Sequence, residues 1–225
     1  MNIKESDIST RKLRGKVRRP SSERVIIMTR LPVAGKVKTR LIPALGARGA
    51  MQLHRILLQH TILCALALGP QVDVEVCVEG ADSSSHMDLP EAGIIYTHQR
   101  GRDLGERMYN AFRKAFREGC ERAVLVGSDI PGLRPHILMG ALEKLRENDV
   151  VIGPAQDGGY YLIGLNEPEA EIFHGVPWGT EAVLKKTLEI LQRSGLVFFL
   201  VETLRDVDRP EDLAAVKDLA SLNGT

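Results

Sequence analysis

Cysteine is scarce: Cys64, Cys77 and Cys120 are widely spaced, odd in number and never in a Cys-x-x-Cys pair. That excludes a disulfide framework and a thiolate zinc site, and it fits a reducing compartment. Excess charge is missing too, since 30 Lys and Arg against 29 Asp and Glu leave a formal +1. Neither nucleic acid nor an anionic membrane is therefore expected as principal partner, and any anion site must be local. No apolar run approaches the roughly 18 residues that span a bilayer, and the N-terminus lacks the apolar core of a signal peptide, so a cytoplasmic protein without a membrane span is expected. The six histidines show no metal-ligand spacing, and no Ser-His-Asp or Cys-His constellation stands out. Repeats, low-complexity segments and an interdomain linker are also absent, which makes one domain the expectation for 225 residues that are 44% apolar.

What is present is a regular alternation. Residues 1–24 carry eight cations against three acids and almost no apolar periodicity, reading as a polar basic tail or, alternatively, a phosphate-binding or nucleic-acid arm. From residue 25 to 225, strand candidates near residues 25, 72, 94, 123, 150, 160 and 197 alternate with helix candidates, the first over 46–68. This predicts a single α/β domain with a mostly parallel sheet and helices on both faces. Val72 to Val78 alternates Val with Asp, Glu and Cys, the pattern of a strand with one buried face.

Polar residues gather where strands end. The run Ala123–Val126 delivers Asp129 into a turn punctuated by Gly127, Pro131 and Gly132. Pro131 stops the ladder, so the carboxylate emerges at the carboxyl edge of the sheet, where α/β folds bind ligands, although an Asp there can equally cap a helix or satisfy turn amides. The segment after the first strand, from Thr29 to Leu41, is dense in cations around Pro32 and Gly35. It suits either a phosphate cradle or a solvated basic loop. It is neither a Walker A loop nor Gly-x-Gly-x-x-Gly. Four further stretches have double readings. Asp103 between Gly101 and Gly105 can cap a helix or touch a base or sugar. Asp157-Gly158-Gly159 is a tight turn or a substrate shelf. Trp178 packs or stacks on a ligand. Asp208, in Asp206-Val207-Asp208-Arg209-Pro210, caps a helix or forms a second acidic turn.

Taken together, Pro32-x-x-Gly35-x-x-Lys38-Thr39-Arg40-Leu41, Asp103-Leu104-Gly105-Glu106-Arg107-Met108, Gly127-Ser128-Asp129-Ile130-Pro131, Asp157-Gly158-Gly159-Tyr160-Tyr161, Pro177-Trp178-Gly179 and Asp206-Val207-Asp208-x-Pro210-Glu211-Asp212 resemble, in order, the nucleotide-diphospho-sugar transferase superfamily. The resemblance is to its bacterial glycosyltransferase-like branch, and the layout is similar to that of phospholactate and molybdenum-cofactor guanylyltransferases. It implies a GT-A (Rossmann-like) three-layer domain and a transferase acting on a nucleotide or nucleotide-sugar donor and a small acceptor, with Mg²⁺ or Mn²⁺. It implies Asp129 and Asp208 as metal ligands, with Asp206 a lesser candidate. Arg30, Gly35, Lys38, Thr39, Arg40, Asp103, Gly105 and Arg107 form the expected nucleotide-binding set. Gly158, Gly159 and Trp178 fall on the acceptor side, and Asp129, Asp157 and Lys38 carry the chemistry. Gly-Ser-Asp offers one carboxylate where many glycosyltransferases have Asp-x-Asp, and the first loop is not the Leu-x-Gly-Gly type. Glycosyl transfer and nucleotidyl transfer with release of pyrophosphate thus both stay open, beside a non-catalytic nucleotide-binding protein.

Overall fold

In the computed structural model, which describes residues 21–79 and 93–216, β1 (Glu23–Arg30) forms the spine of a sheet whose strands are ordered β3-β2-β1-β4-β6-β5-β7. The others are β2 (Val72–Glu79), β3 (Ile94–His98), β4 (Arg122–Gly127), β5 (Val150–Pro154), β6 (Tyr160–Leu165) and β7 (Phe198–Leu200). β6 runs antiparallel to β4 and β5, and the remaining pairings are parallel. The expected mostly parallel α/β sheet is what the chain forms.

Strand alternation divides the core into two halves. Val25 and Ile27 point to α1 (Ile42–Leu66) and α3 (Pro135–Lys144), where Leu58, Ile62, Leu138 and Leu142 are buried. Ile26 and Met28 point to the opposite layer, against Met108 and Phe112 of α2 (Leu104–Arg117) and Leu191 of α4 (Val183–Ser194). Each large side chain so buried contributes about 1.5–3 kcal/mol. The chain winds outward from β1 through α1 to β2 and then β3 on one side, and returns from β3 through α2 to β4 on the other side of β1. The crevice between the ends of β1 and β4 is therefore the switch point at which such sheets bind ligands.

Several expectations change in detail. The first strand begins at Glu23, so Glu23 and Arg24, read as the end of the basic tail, belong to the domain. Arg24 is only 1% exposed and pairs with Glu75 and Glu118 at 2.7 Å. Partnering by Arg24 is also why β2 is buried on both faces, Asp73 and Glu75 included, despite its alternating sequence. Gly46 adopts φ 69° and ψ 165°, breaking α1 after its first turn, so the long helix proper starts where the apolar pattern does. The Thr180 hydroxyl donates to the Pro177 carbonyl at 2.8 Å and accepts from the Ala182 amide at 3.3 Å, just ahead of the fourth helix, which starts at Val183. The last helical stretch is a 3₁₀ turn over Pro210–Val216, and most of the basic tail lies outside the described residues.

Candidate active site

The loop after β1 is anchored by buried Val37 and Leu41, and between them Lys38 takes a left-handed conformation with φ 47° and ψ 42°. That backbone turns a lysine inward. Its side chain, 3% exposed, donates to the Val207 carbonyl at 2.6 Å and sits 2.9 Å from Asp129 Oδ1 and 4.0 Å from Asp208 Oδ1. Val207 is fully buried, and its amide donates to the Asp129 carbonyl at 3.0 Å. Burying the middle residue of Asp206-Val207-Asp208 seats the acidic turn against the end of β4. Asp212 organises the turn further, accepting from the amides of Asp208 and Arg209 at 3.1 and 2.8 Å. Asp208 is thus no helix cap. Its carboxylate is left to pair with the exposed Arg40.

Asp129 Oδ1 is shielded from solvent and accepts no hydrogen bond of regular geometry, although the Lys38 ammonium is in ion-pair contact. The His54 ring lies 3.9 Å from the same oxygen. Burial above all lowers the affinity of His54 for a proton; Asp129 opposes this, and Lys38 and Arg30 add to it. The ring is therefore neutral at neutral pH, held by the Arg30 carbonyl at 3.0 Å and near the Thr29 hydroxyl, which Ser128 joins to the end of β4 at 3.1 Å. His54, Ser128 and Glu79 were not singled out by the sequence. His54 lies on an α1 face that reads as packing, and only the pairing of β1 with β4 brings it to Asp129.

Two clefts meet here. One, of about 490 Å³, is lined by Lys38, Thr39, Arg40 and Asp129 together with Arg30, Arg107 and Glu79. Glu79 pairs with both arginines, and despite its partial burial their hydrogen bonds and charge hold its carboxyl below the usual range. The other, of about 520 Å³, is lined by Asp157, Asp206, Glu181 and Arg205 among others. Arg40 and Asp208 border both clefts, so their ion pair stands at the junction. In the second cleft, burial first, then the charges of Asp157 and Asp208, raise the proton affinity of Asp206.

Of the expected nucleotide-binding set, Arg30, Lys38, Thr39, Arg40 and Arg107 converge on the first cleft. Gly35, Asp103 and Gly105 do not line it. Gly35 is exposed at φ 81° with open space around it. Asp103 caps α2, accepting from the Glu106 amide at 2.8 Å. Gly105 lets the Trp178 indole close on α2, because an added Cβ would lie 2.7 Å from its Nε1. Trp178 consequently packs edge-on against Tyr160 and lines neither cleft. Asp157 does line the second cleft, while also accepting from the Gly159 amide at 2.8 Å. Gly158 and Gly159 shape that turn without lining the cleft, and Gly158 takes φ 87° against the Glu181 backbone.

Asp129 and Asp208 converge on one ammonium group, which is a hard-oxygen donor pair suited to Mg²⁺ or Mn²⁺. Among the described residues no group of three or more His, Cys, Asp or Glu forms a complete cage. Two carboxylates alone would suit a divalent ion only if further oxygen ligands came from outside the chain.

A sheet of this order with cations and carboxylates gathered at its switch point defines a nucleotide-diphospho-sugar transferase fold, and solved structures agree. A candidate nucleotide-diphospho-sugar transferase from Desulfovibrio desulfuricans G20 is 34% identical, with a TM-score of 0.81 over 91% of this chain and 90% of that one. Two structures share the fold alone. An inositol-1-phosphate CTP transferase from T. maritima is 16% identical at TM-score 0.55, covering 92% of this chain and 99% of its own. A CMP:2-keto-3-deoxy-manno-octonic acid synthetase complexed with CTP is 13% identical at TM-score 0.57, covering 89% and 99%. No curated protein matches the chain. The family model described as uncharacterized protein conserved in bacteria (DUF2064) matches residues 62–180, more than half of the sequence. The chain belongs to the DUF2064 family, and it is a transferase enzyme of the nucleotide-diphospho-sugar transferase superfamily.

Proposed function

We propose that this transferase holds a nucleotide-activated donor by its phosphates in the first cleft, with a divalent ion at Asp129 and Asp208, and transfers a glycosyl group to a small acceptor in the second. The observation that carries the reading is the buried Lys38 ammonium between two carboxylates, with Arg40 beside it, at the junction of the clefts. A leaving nucleoside diphosphate gains negative charge as the sugar C1–O bond breaks. Lys38, fixed by Asp129 and the Val207 carbonyl, meets that charge with little reorganisation. Arg40, exposed and planar, can exchange Asp208 for phosphate oxygens in a bidentate contact. A bound divalent ion supplies further neutralisation of the leaving group. Asp157 and Asp206 line the acceptor side. The raised proton affinity of Asp206 suits it to take a hydroxyl proton as the bond to the acceptor forms.

Carboxylates outnumber arginines in the second cleft: Asp157, Glu181, Asp206, Asp208, Glu211 and Asp212 face Arg40, Arg205 and Arg209, of which Arg40 and Arg205 already pair with Asp208 and Asp212. That lining favours hydroxyl-bearing, uncharged groups over a phosphorylated acceptor, and so supports glycosyl over nucleotidyl transfer. A single carboxylate after β4 in place of Asp-x-Asp favours the second reading, in which an acceptor phosphate attacks the α-phosphorus and pyrophosphate departs. Incubation with nucleoside triphosphates and nucleotide sugars, Mg²⁺ and an acceptor pool decides between them. Nucleoside diphosphate released from a nucleotide sugar is expected, and pyrophosphate released from a triphosphate would instead establish nucleotidyl transfer.

A further inference from the structure

A second cationic recess lies outside the donor cleft. It has about 480 Å³ and opens between α2 and the edge strand β3, with Cys77 and Thr97 in its lining. Arg107, Lys114 and Arg117 recur along α2 at near-helical spacing and line it with Arg113 and Arg100, against one carboxylate, Glu75. Glu75 is fully buried and already committed: it accepts from Arg24 at 2.7 Å and Thr97 at 2.6 Å, and meets Lys114 at 3.4 Å. The recess therefore holds far more positive charge than its own acid balances.

The remaining charges are matched unevenly. Arg107 pairs with Glu79 and Lys114 with Glu118. Arg113 lies over the Tyr109 ring at 5.6 Å. Arg100, Arg113 and Arg117 make no ion pair among the described residues. Helical charge usually disperses or finds i+4 partners. Here like-charged guanidinium groups line one concavity, where repulsion costs stability unless an anion enters. Asn110 adds a polar side chain to the same lining, and its amide already donates to the Arg100 carbonyl at 2.9 Å. This contact ties the segment carrying Arg100 to the middle of α2.

We propose that this recess is a separate binding site for a small, multiply charged phosphorylated anion. The dimensions suit a small molecule, and planar guanidinium forks suit phosphate oxygens. Arg107 also lines the donor cleft, so the discriminating variants are Arg113 and Arg117, which the donor cleft does not use.

The test is a calorimetric titration of the full chain with inorganic tripolyphosphate, without nucleotide or metal. The comparison is between the wild type, Arg113→Gln/Arg117→Gln, Arg113→Ala/Arg117→Ala and a control that removes two exposed arginines elsewhere, Arg48→Ala/Arg193→Ala. The glutamine pair keeps the stems that cover α2, and matched thermal melting checks that each variant folds. Both recess pairs are expected to weaken one class of sites at least tenfold or abolish it, with the control unchanged. An Arg40→Ala variant, which alters the donor and acceptor clefts and leaves the recess lining intact, is expected to retain the recess class. Recess variants that titrate like the wild type, or a control that loses as much as they do, would overturn the proposal. Because binding is read directly, failure of the transferase reading would leave this result unaffected.

Discussion

Lys38 Nζ lies 2.9 Å from Asp129 Oδ1, so a loop following the first strand is locked by charge to the end of the fourth. Among the described residues Lys38 is also the one non-glycine with positive φ. Left-handed backbone costs an L-residue about 1–2 kcal/mol. Lys38→Gly and Lys38→Ala should both lose about 1.5–3 kcal/mol of nucleotide affinity, but the glycine variant should be the more stable by about 1 kcal/mol. Nucleotide titration and urea unfolding of the two variants separate the side chain from the strain. Equal stability would show that the backbone there is unstrained.

Arg24 is predicted to be the most costly charged residue to remove. Arg24→Met leaves Glu75 buried with less compensation and should destabilise the fold by about 3–5 kcal/mol. Adding Glu75→Gln should recover part of that loss in chemical denaturation. No recovery would mean that the packing of the arginine stem, rather than its charge, matters.

Acid and neutral pH should act oppositely on two carboxylates. Asp206 binds its proton more tightly folded than unfolded, through burial and then Asp157 and Asp208, so its ionised form costs stability at neutral pH. That cost is relieved as pH falls through the raised folded value. Asp206→Asn should accordingly raise Tm at neutral pH, and the gain should vanish near about pH 3, below the ordinary Asp value. Glu118 has the reverse sign: burial is outweighed by Arg24 and Lys114, so its contribution exists above the usual carboxylate range and is lost as pH falls through its lowered value. Melting curves of Asp206→Asn and Glu118→Gln across this range check both signs.

Trp178 is predicted to be structural. Gly105→Ala would place a Cβ 2.7 Å from the indole nitrogen and 2.8 Å from the Phe173 carbonyl, which is overpacking worth about 1–3 kcal/mol. The variant should melt lower and alter the fluorescence of the only tryptophan. Trp178→Phe should leave nucleotide binding as it is.

Strand positions and the two-sided layering were legible because β-branched runs and helical stripes alternate along the chain. The cationic loop and both acidic turns were legible because polar residues follow those runs directly. What the sequence hid came from tertiary pairing. Arg24 reads as tail charge until Glu75 and Glu118 are brought against it. His54 reads as one more residue of a packing helix until β1 and β4 lie side by side. Trp178 and Asp103 carry either a ligand or a local contact in any sequence pattern, and only the position of Gly105 and the Glu106 amide decides for packing and capping.

In the proposed site, Asp129 and Asp208 hold a divalent cation only together with donor phosphates. The direct measurement is the thermal shift produced by nucleoside triphosphates and nucleotide sugars, with and without Mg²⁺, on the wild type and on Asp129→Asn. Magnesium alone should shift the wild type little, magnesium with a bound nucleotide should shift it more than the nucleotide alone, and Asp129→Asn should lose that increment while keeping the metal-free shift from Lys38 and Arg40. The same magnesium increment in Asp129→Asn as in the wild type would contradict the assignment.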